Sequence, residues 1–193
     1  MTGAGISLAC NPRRSTWLAR LIAFAVAGVF ALHGQNPKPT EYEVEAAYLS
    51  NFAKFIDWPA RAASAPNDPF YVCVLGQDPF GPLLESALKG ESINGAPMAA
   101  RRVAAPEDAA NCRVLFMNAS KDAQLGNILS ALGTSAILTV SDMPGFTRGG
   151  GMIQFVIDGN RVRFEINLAA AKRAGLNLSS QLLKLAIAVR RAP

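Results

Sequence analysis

Histidine is nearly missing from this chain: in 193 residues the one copy is His33. The commonest general base and the commonest metal ligand at neutral pH are therefore all but absent. Cysteine is scarce too, with Cys10, Cys73 and Cys112 making three. No Cys/His zinc spacing, no Cys–His pair and no Ser-His-Asp triad can be built from these residues. Phosphate loops fare no better. Gly76 and Gly81 stand at Walker spacing, but Pro82 and Leu83 follow where Lys and Ser or Thr are needed. A hydrolase, a metalloenzyme and a nucleotide triphosphatase are thereby disfavoured, and no enzymatic activity, metal or cofactor is expected.

Charge is also thin, at 17% of residues. The net +5 shrinks when divided along the chain: residues 1–31 hold Arg13, Arg14 and Arg20 and no acid, leaving 16 basic against 14 acidic side chains beyond them. A nucleic-acid binder concentrates its cations on a stripe or helix. Here the close basic pairs are Arg101/Arg102, Lys172/Arg173 and Arg190/Arg191, which read as solvated faces or helix ends. No nucleic-acid partner is expected.

What is present begins with a basic stretch from Arg13 and an apolar run from Leu21 to Leu32. The run falls short of the roughly 20 residues of a spanning helix, and Val29-Phe30-Ala31 supplies small residues before a cut. Residues 1–31 are expected to be a signal peptide cleaved near Ala31, the alternatives being an uncleaved anchor or a buried helix. Ser7-Leu8-Ala9-Cys10 lacks the preceding apolar run of a lipoprotein box, so Cys10 should leave with the signal. In an exported chain the remaining pair, Cys73 and Cys112, reads as a disulfide rather than two buried thiols.

Residues 32–39 form a polar lead, and residues 40–193 one domain. Thr40-Glu41-Tyr42-Glu43 is a capping box opening a helix whose stripe, Val44, Tyr48, Phe52, Phe55 and Ile56, runs to Trp58-Pro59. Strands are expected at Phe70 to Leu75, Met98 to Val103, Arg113 to Met117 and Ala136 to Val140, with helices from Pro79 to about Lys89 and from Asp122 to Leu132. This alternation predicts an α/β fold, a mainly parallel sheet flanked by helices on both faces. Asp158-Gly159-Asn160 between Met152–Ile157 and Arg161–Ile166 adds a C-terminal antiparallel hairpin. A helix from Asn167 to Ala174, stopped by Gly175, and a final helix capped at Ser179 or Ser180 and reaching Val189 complete the reading.

Asp142 and Glu165 are the acids of most interest. Asp142 sits where a turn-forming side chain is expected, and Glu165 shares a strand face with Arg163, which predicts an ion pair, with each other or across the hairpin, rather than acid catalysis. Gly145 to Gly151, with Arg148 inside, reads as a loop before the hairpin or an anion cradle.

Four stretches resemble the YfiR-like family of periplasmic proteins: Tyr42 to Pro59, Phe70 to Pro82, Ile137 to Ile153 and Arg161 to Leu185. The resemblance implies a non-catalytic periplasmic repressor that binds the periplasmic part of an inner-membrane diguanylate cyclase, lowers cyclic-di-GMP and restrains biofilm. It also implies sequestration by an outer-membrane lipoprotein and one disulfide, Cys73 with Cys112; a second pair has no counterpart near Asp142 to Gly151. Repression needs only a preference for the inactive partner. Phe146, Arg148 and Met152 are the expected partner contact, the alternative being that Phe146 and Met152 pack beneath the hairpin. The second function class is a small-ligand sensor, with Gly76, Asp78, Ser141 and Asp142 lining a crevice at the strand ends. A symmetric homodimer is left open.

Overall fold

The computed structural model describes residues 39–59 and 68–191. The expected signal peptide at 1–31, Cys10, His33 and residues 32–38 of the expected lead lie outside the described residues. The folded unit that they precede begins at Pro39.

Helix α1 (Glu41–Lys54) starts at the expected capping box, with Thr40 Oγ1 accepting from the Glu43 N–H and Glu43 Oε2 from the Thr40 N–H. The helix stops at Lys54 rather than at Trp58-Pro59. Strand β1 (Ile56–Asp57) leaves it to pair antiparallel with β9 (Asn177–Leu178). Trp58 closes the end by donating its indole N–H to the Ala53 carbonyl at 2.9 Å and resting edge-on against Phe70.

The main sheet is built outward from β2 (Phe70–Leu75) and β5 (Cys112–Met117), which are parallel neighbours. On one side of β2 stand β4 (Ala96–Val103), then β3 (Ser92–Ile93); on the other side of β5 follow β6 (Leu138–Ser141), β7 (Ile153–Asp158), β8 (Arg161–Asn167) and β10 (Ala188–Arg190). The run from β4 to β7 is parallel; the β7–β8 hairpin is antiparallel and turns through Gly159 and Asn160. Helices α2 (Pro82–Leu88), α3 (Leu125–Leu132), α4 (Leu168–Arg173) and α5 (Ser180–Leu185) complete the α/β fold.

Alternation divides the interior. Val72 and Val74, Val114 and Phe116, Leu138 and Val140 feed one core, together with α1, α2, α4 and α5. Cys73 and Leu75, Leu115 and Met117 feed the opposite core, with Ile128 and Leu132 of α3. Successive side chains of a strand point to opposite faces, so both sides of the central strands are apolar. On the first face Tyr48 and Phe52 meet Phe155 and Phe164 in ring contacts of 5.0–5.9 Å.

Cys73 and Cys112 form the disulfide, wholly buried on the second face. A register shift makes this possible: Tyr71 is opposite Cys112 but Val72 is opposite Val114, leaving Arg113 as one extra residue. Since one residue of slip turns a side chain to the other face, the irregularity brings Cys112 round to Cys73.

Three expectations are revised. The final helix ends at Leu185, and β10 replaces its last turn by pairing parallel with β8. Residues 119–124 form a 3₁₀ turn ahead of α3. Ser92–Ile93 and Ala96–Pro97 make a small hairpin around Asn94-Gly95, a turn signal that the strand reading passed over.

Residues 142–151 run as a strap from β6 to β7. Thr147 is fastened three ways: its N–H to Gln154 Oε1, its hydroxyl to Glu165 Oε2 at 3.1 Å, and its carbonyl from Asn167 Nδ2 at 2.9 Å. Phe146 is driven into the second core, and Gly151 lies directly on its ring, where a Cβ would stand 2.1 Å from a ring carbon.

Gly151→Ala should therefore lower the melting temperature, costing about 1–3 kcal/mol through overpacking. Gly126→Ala in α3, where a Cβ meets nothing within 4 Å, should instead raise stability by about 0.5–1 kcal/mol. Replacing Cys73 and Cys112 by serine should cost about 3–4 kcal/mol in urea denaturation, from the chain entropy released by opening the loop.

Candidate functional site

An open α/β sheet offers ligands the carboxyl edge of its strands at the point where strand order reverses. Here that point lies between β2 and β5, since β4 follows β2 on one side and β5, β6 and β7 continue on the other. The four residues expected to line a ligand crevice all lie at this edge, but three of them are engaged in building it. Gly76, at φ 97°, lets the turn after β5 close in, so that a Cβ would fall 2.8 Å from Ser120 Oγ. Gln77 N–H donates to that hydroxyl at 3.2 Å, and Asn118 N–H to the Leu75 carbonyl at 3.1 Å.

Asp78 has both oxygens occupied. Its Oδ1 accepts from the Phe80 N–H at 2.8 Å, and its Oδ2 lies 2.6 Å from Arg102 Nη2. Arg102 also binds Glu85 and the Gly81 carbonyl, while Arg101 lies 3.7 Å over the Tyr71 ring, so this pair, with Arg102 exposed, makes contacts within the fold from a solvated face. The Ser141 hydroxyl donates to the Met117 carbonyl at 2.6 Å and accepts from the Met143 N–H at 3.0 Å. Phe80 fills the space above, edge-on to Phe116 and to Tyr42 of α1. Gly76, Asp78 and Ser141 thus each help hold the turns at this edge through these contacts.

Asp142 is different. Its Oδ1 is buried without a hydrogen-bond partner, and burial, with the nearby Glu41, raises its carboxyl above the ordinary range. Helix α1 carries a second acid that feels its charge. Glu45 is 0% exposed, and neither of its carboxyl oxygens has a hydrogen-bond partner. Burial, then the Asp142 charge, then Glu41 push its pKa up to about 8. Tyr42, one turn earlier, is raised by burial and by the charges of Asp142, Glu45 and Glu41. At neutral pH Glu45 therefore keeps its proton, because an unpaired carboxylate in an apolar site is too costly.

Glu45 escaped the sequence reading because it stands among Glu41 and Glu43 in the first turns of a helix, where acids are ordinary. The signal was its spacing: position 45 falls with Tyr42, Leu49 and Phe52 on the buried stripe, three, four and seven residues apart.

The partner contact is also revised. Phe146 is 0% and Met152 7% exposed, so both belong to the interior, the alternative that the sequence left open. Glu165 accepts from Thr147 across the strap and faces Gln154 on β7 instead of pairing with Arg163. Arg148 remains exposed on the strap, with its guanidinium folded over Gly145 and no ion pair among the described residues. Beside it Gly149 and Gly150 border a groove of about 410 Å³ that runs between α3 and α4 and has Arg173 at its rim.

Among the described residues no group of three or more His, Cys, Asp or Glu side chains is placed to hold a metal ion. Nor is any helix there long and apolar enough to cross a membrane.

Comparison with known proteins agrees with this architecture. The chain is similar to the crystal structure of a conserved domain protein from Vibrio cholerae O1 biovar El Tor, with a TM-score of 0.54 and 10% identity over 78% of this chain and 60% of that one. It is also similar to an ABC domain in complex with L-Trp from Streptococcus pneumonia, with a TM-score of 0.52 and 14% identity over 75% of this chain and 60% of that one. At these identities the likeness is one of fold, and this chain spans less than two thirds of either structure. A comparison with curated proteins found no match. The sequence profile of the family described as YfiR/HmsC-like matches residues 42–187.

The raised Glu45 carboxyl has a thermodynamic consequence. Between pH 4.5 and 8 the folded state holds a proton that the unfolded state has released, so stability falls as pH rises and levels off above about 8. At about 1.4 kcal/mol per pH unit the loss is on the order of 4–5 kcal/mol. Glu45→Gln should remove most of this slope, as read by urea denaturation at pH 5, 6.5 and 8.

Proposed function

The chain belongs to the YfiR/HmsC-like family, which is regulatory rather than catalytic, and from this membership we propose that it is a periplasmic repressor of an inner-membrane diguanylate cyclase. The observation that carries the reading is the family match, which spans residues 42–187, nearly the whole of the folded unit. The buried disulfide supports a life in an oxidising compartment.

A repressor of this kind works by differential affinity: it binds the inactive form of the cyclase's periplasmic part more tightly than the active form. Holding the cyclase almost entirely off takes about 10⁴-fold discrimination. A pre-organised surface serves this by sparing the cost of ordering it on binding. The strap meets this requirement, because Thr147 and Phe146 anchor it to β7, β8 and the second core. Arg148 stands outward on that rigid base, next to the groove between α3 and α4. In this proposal Arg148 pairs with a carboxylate of the cyclase, and the groove receives an apolar side chain beside it. An outer-membrane lipoprotein that relieves repression would compete for the same surface.

Adding the oxidised protein to membranes that carry the cell's own candidate cyclase should lower cyclic-di-GMP synthesis. Arg148→Glu should weaken this repression about tenfold or more, by loss of a charged contact and introduction of a repulsive one. Its melting temperature should not change, since Arg148 makes no ion pair among the described residues. Undiminished repression by the variant would remove Arg148 from the interface, and no repression by the unmodified protein would remove the cyclase.

A further inference from the structure

The groove between α3 and α4 offers two kinds of surface. Leu129, Leu132, Ile137 and Met152 supply apolar lining, and of the residues that border the groove Arg173 alone carries a charge. No acid lines it, and Arg173 makes no ion pair among the described residues. A guanidinium beside apolar surface, with no anion of the protein's own, is matched by a carboxylate that brings an apolar group with it.

Thr139 supplies a second, separate observation. It also lines the groove and is 3% exposed. Its hydroxyl oxygen accepts from the Met152 N–H at 3.1 Å, yet the hydroxyl proton has no acceptor among the described residues. A buried hydroxyl ordinarily finds one. Gly150, on the strap side of the groove, has a main-chain N–H that is likewise without an acceptor among the described residues. The carbonyls that could repel an anion are already engaged. Leu129 and Leu132 at the end of α3 accept from the Gly133 and Ser135 N–H groups, and Ala171 and Lys172 at the end of α4 from those of Leu176 and Gly175.

We propose that this groove is a binding site for a small apolar monocarboxylate, with Arg173 pairing the carboxylate, Thr139 and Gly150 as the further donors, and the leucine and methionine surface taking the tail. The free protein binds such a ligand whatever its macromolecular partner is. Where the cyclase's apolar side chain is seated in the same groove, the two occupants exclude one another, a consequence that rests on the repressor reading.

The probe is hexanoate, titrated into the oxidised protein and followed by amide chemical shifts. It should move the Thr139, Gly150 and Ala174 resonances, with a dissociation constant on the order of 1 mM for a ligand of this size. Hexanol and hexylammonium, which share the tail but not the carboxylate, should bind about tenfold more weakly through loss of the charge-assisted contact. Arg173→Gln, at an exposed position, should weaken hexanoate by a similar factor, about tenfold, and Arg173→Lys should recover part of it. Equal binding of hexanol overturns the proposal, because the groove would then read apolar surface alone. So does an unchanged hexanoate titration in Arg173→Gln. The absence of any shift at these amides, or shifts confined to another face, overturns it without reference to a variant.

Discussion

Burial of β2, β5 and β6 on both faces is the constraint from which the other features follow. A strand covered on both sides must be apolar at every position, and FYVCVL, CRVLFM and LTVS come close to that. The few polar side chains within reach are then placed by necessity. Ser141 turns its hydroxyl back onto the neighbouring strand's carbonyl, and Thr139 accepts from the Met152 N–H. The same demand explains Thr147, Gln154 and Asn167, which satisfy one another where the strap crosses the sheet. A buried polar group with its hydrogen bonds made costs little, and without them costs several times more.

Against that background Glu45 and Asp142 stand out because their surroundings leave them unsatisfied. Apolar residues at both positions would make a more stable domain. A regulatory protein needs more than stability, since it must keep some part of itself poised near a change of state.

Much of the architecture was legible in the sequence, because it is recorded in short-range chemistry. The capping box at Thr40, the apolar strands, the two-residue turn between β7 and β8, and the Ser179 cap each depend on residues close together in the chain. What escaped was decided by distant partners. Ile56–Asp57 is a strand only because Asn177–Leu178 lies beside it, and Ala188–Arg190 leaves its helical pattern because the open edge of β8 offers hydrogen bonds. Phe146 reads from the sequence either as a partner contact, being a large apolar group beside Arg148 in a glycine loop with no catalytic duty, or as packing beneath the hairpin. Its burial depends on α3, β2 and β5, which no local pattern encodes. For the site, the sequence grouped Gly76, Asp78, Ser141 and Asp142 at one edge of the sheet, but it did not mark Glu45 of helix α1 as a buried acid.

The bond between Cys73 and Cys112 imposes an order on assembly. Both residues are completely enclosed once β2 and β5 are docked and α3 lies over them. An oxidant therefore meets the thiols only while the sheet's second face is still uncovered, and a reductant meets the disulfide only when that face opens again. Each finished molecule carries a covalent mark of having been oxidised before its core closed, and it retains that mark after moving to surroundings that would not have made it.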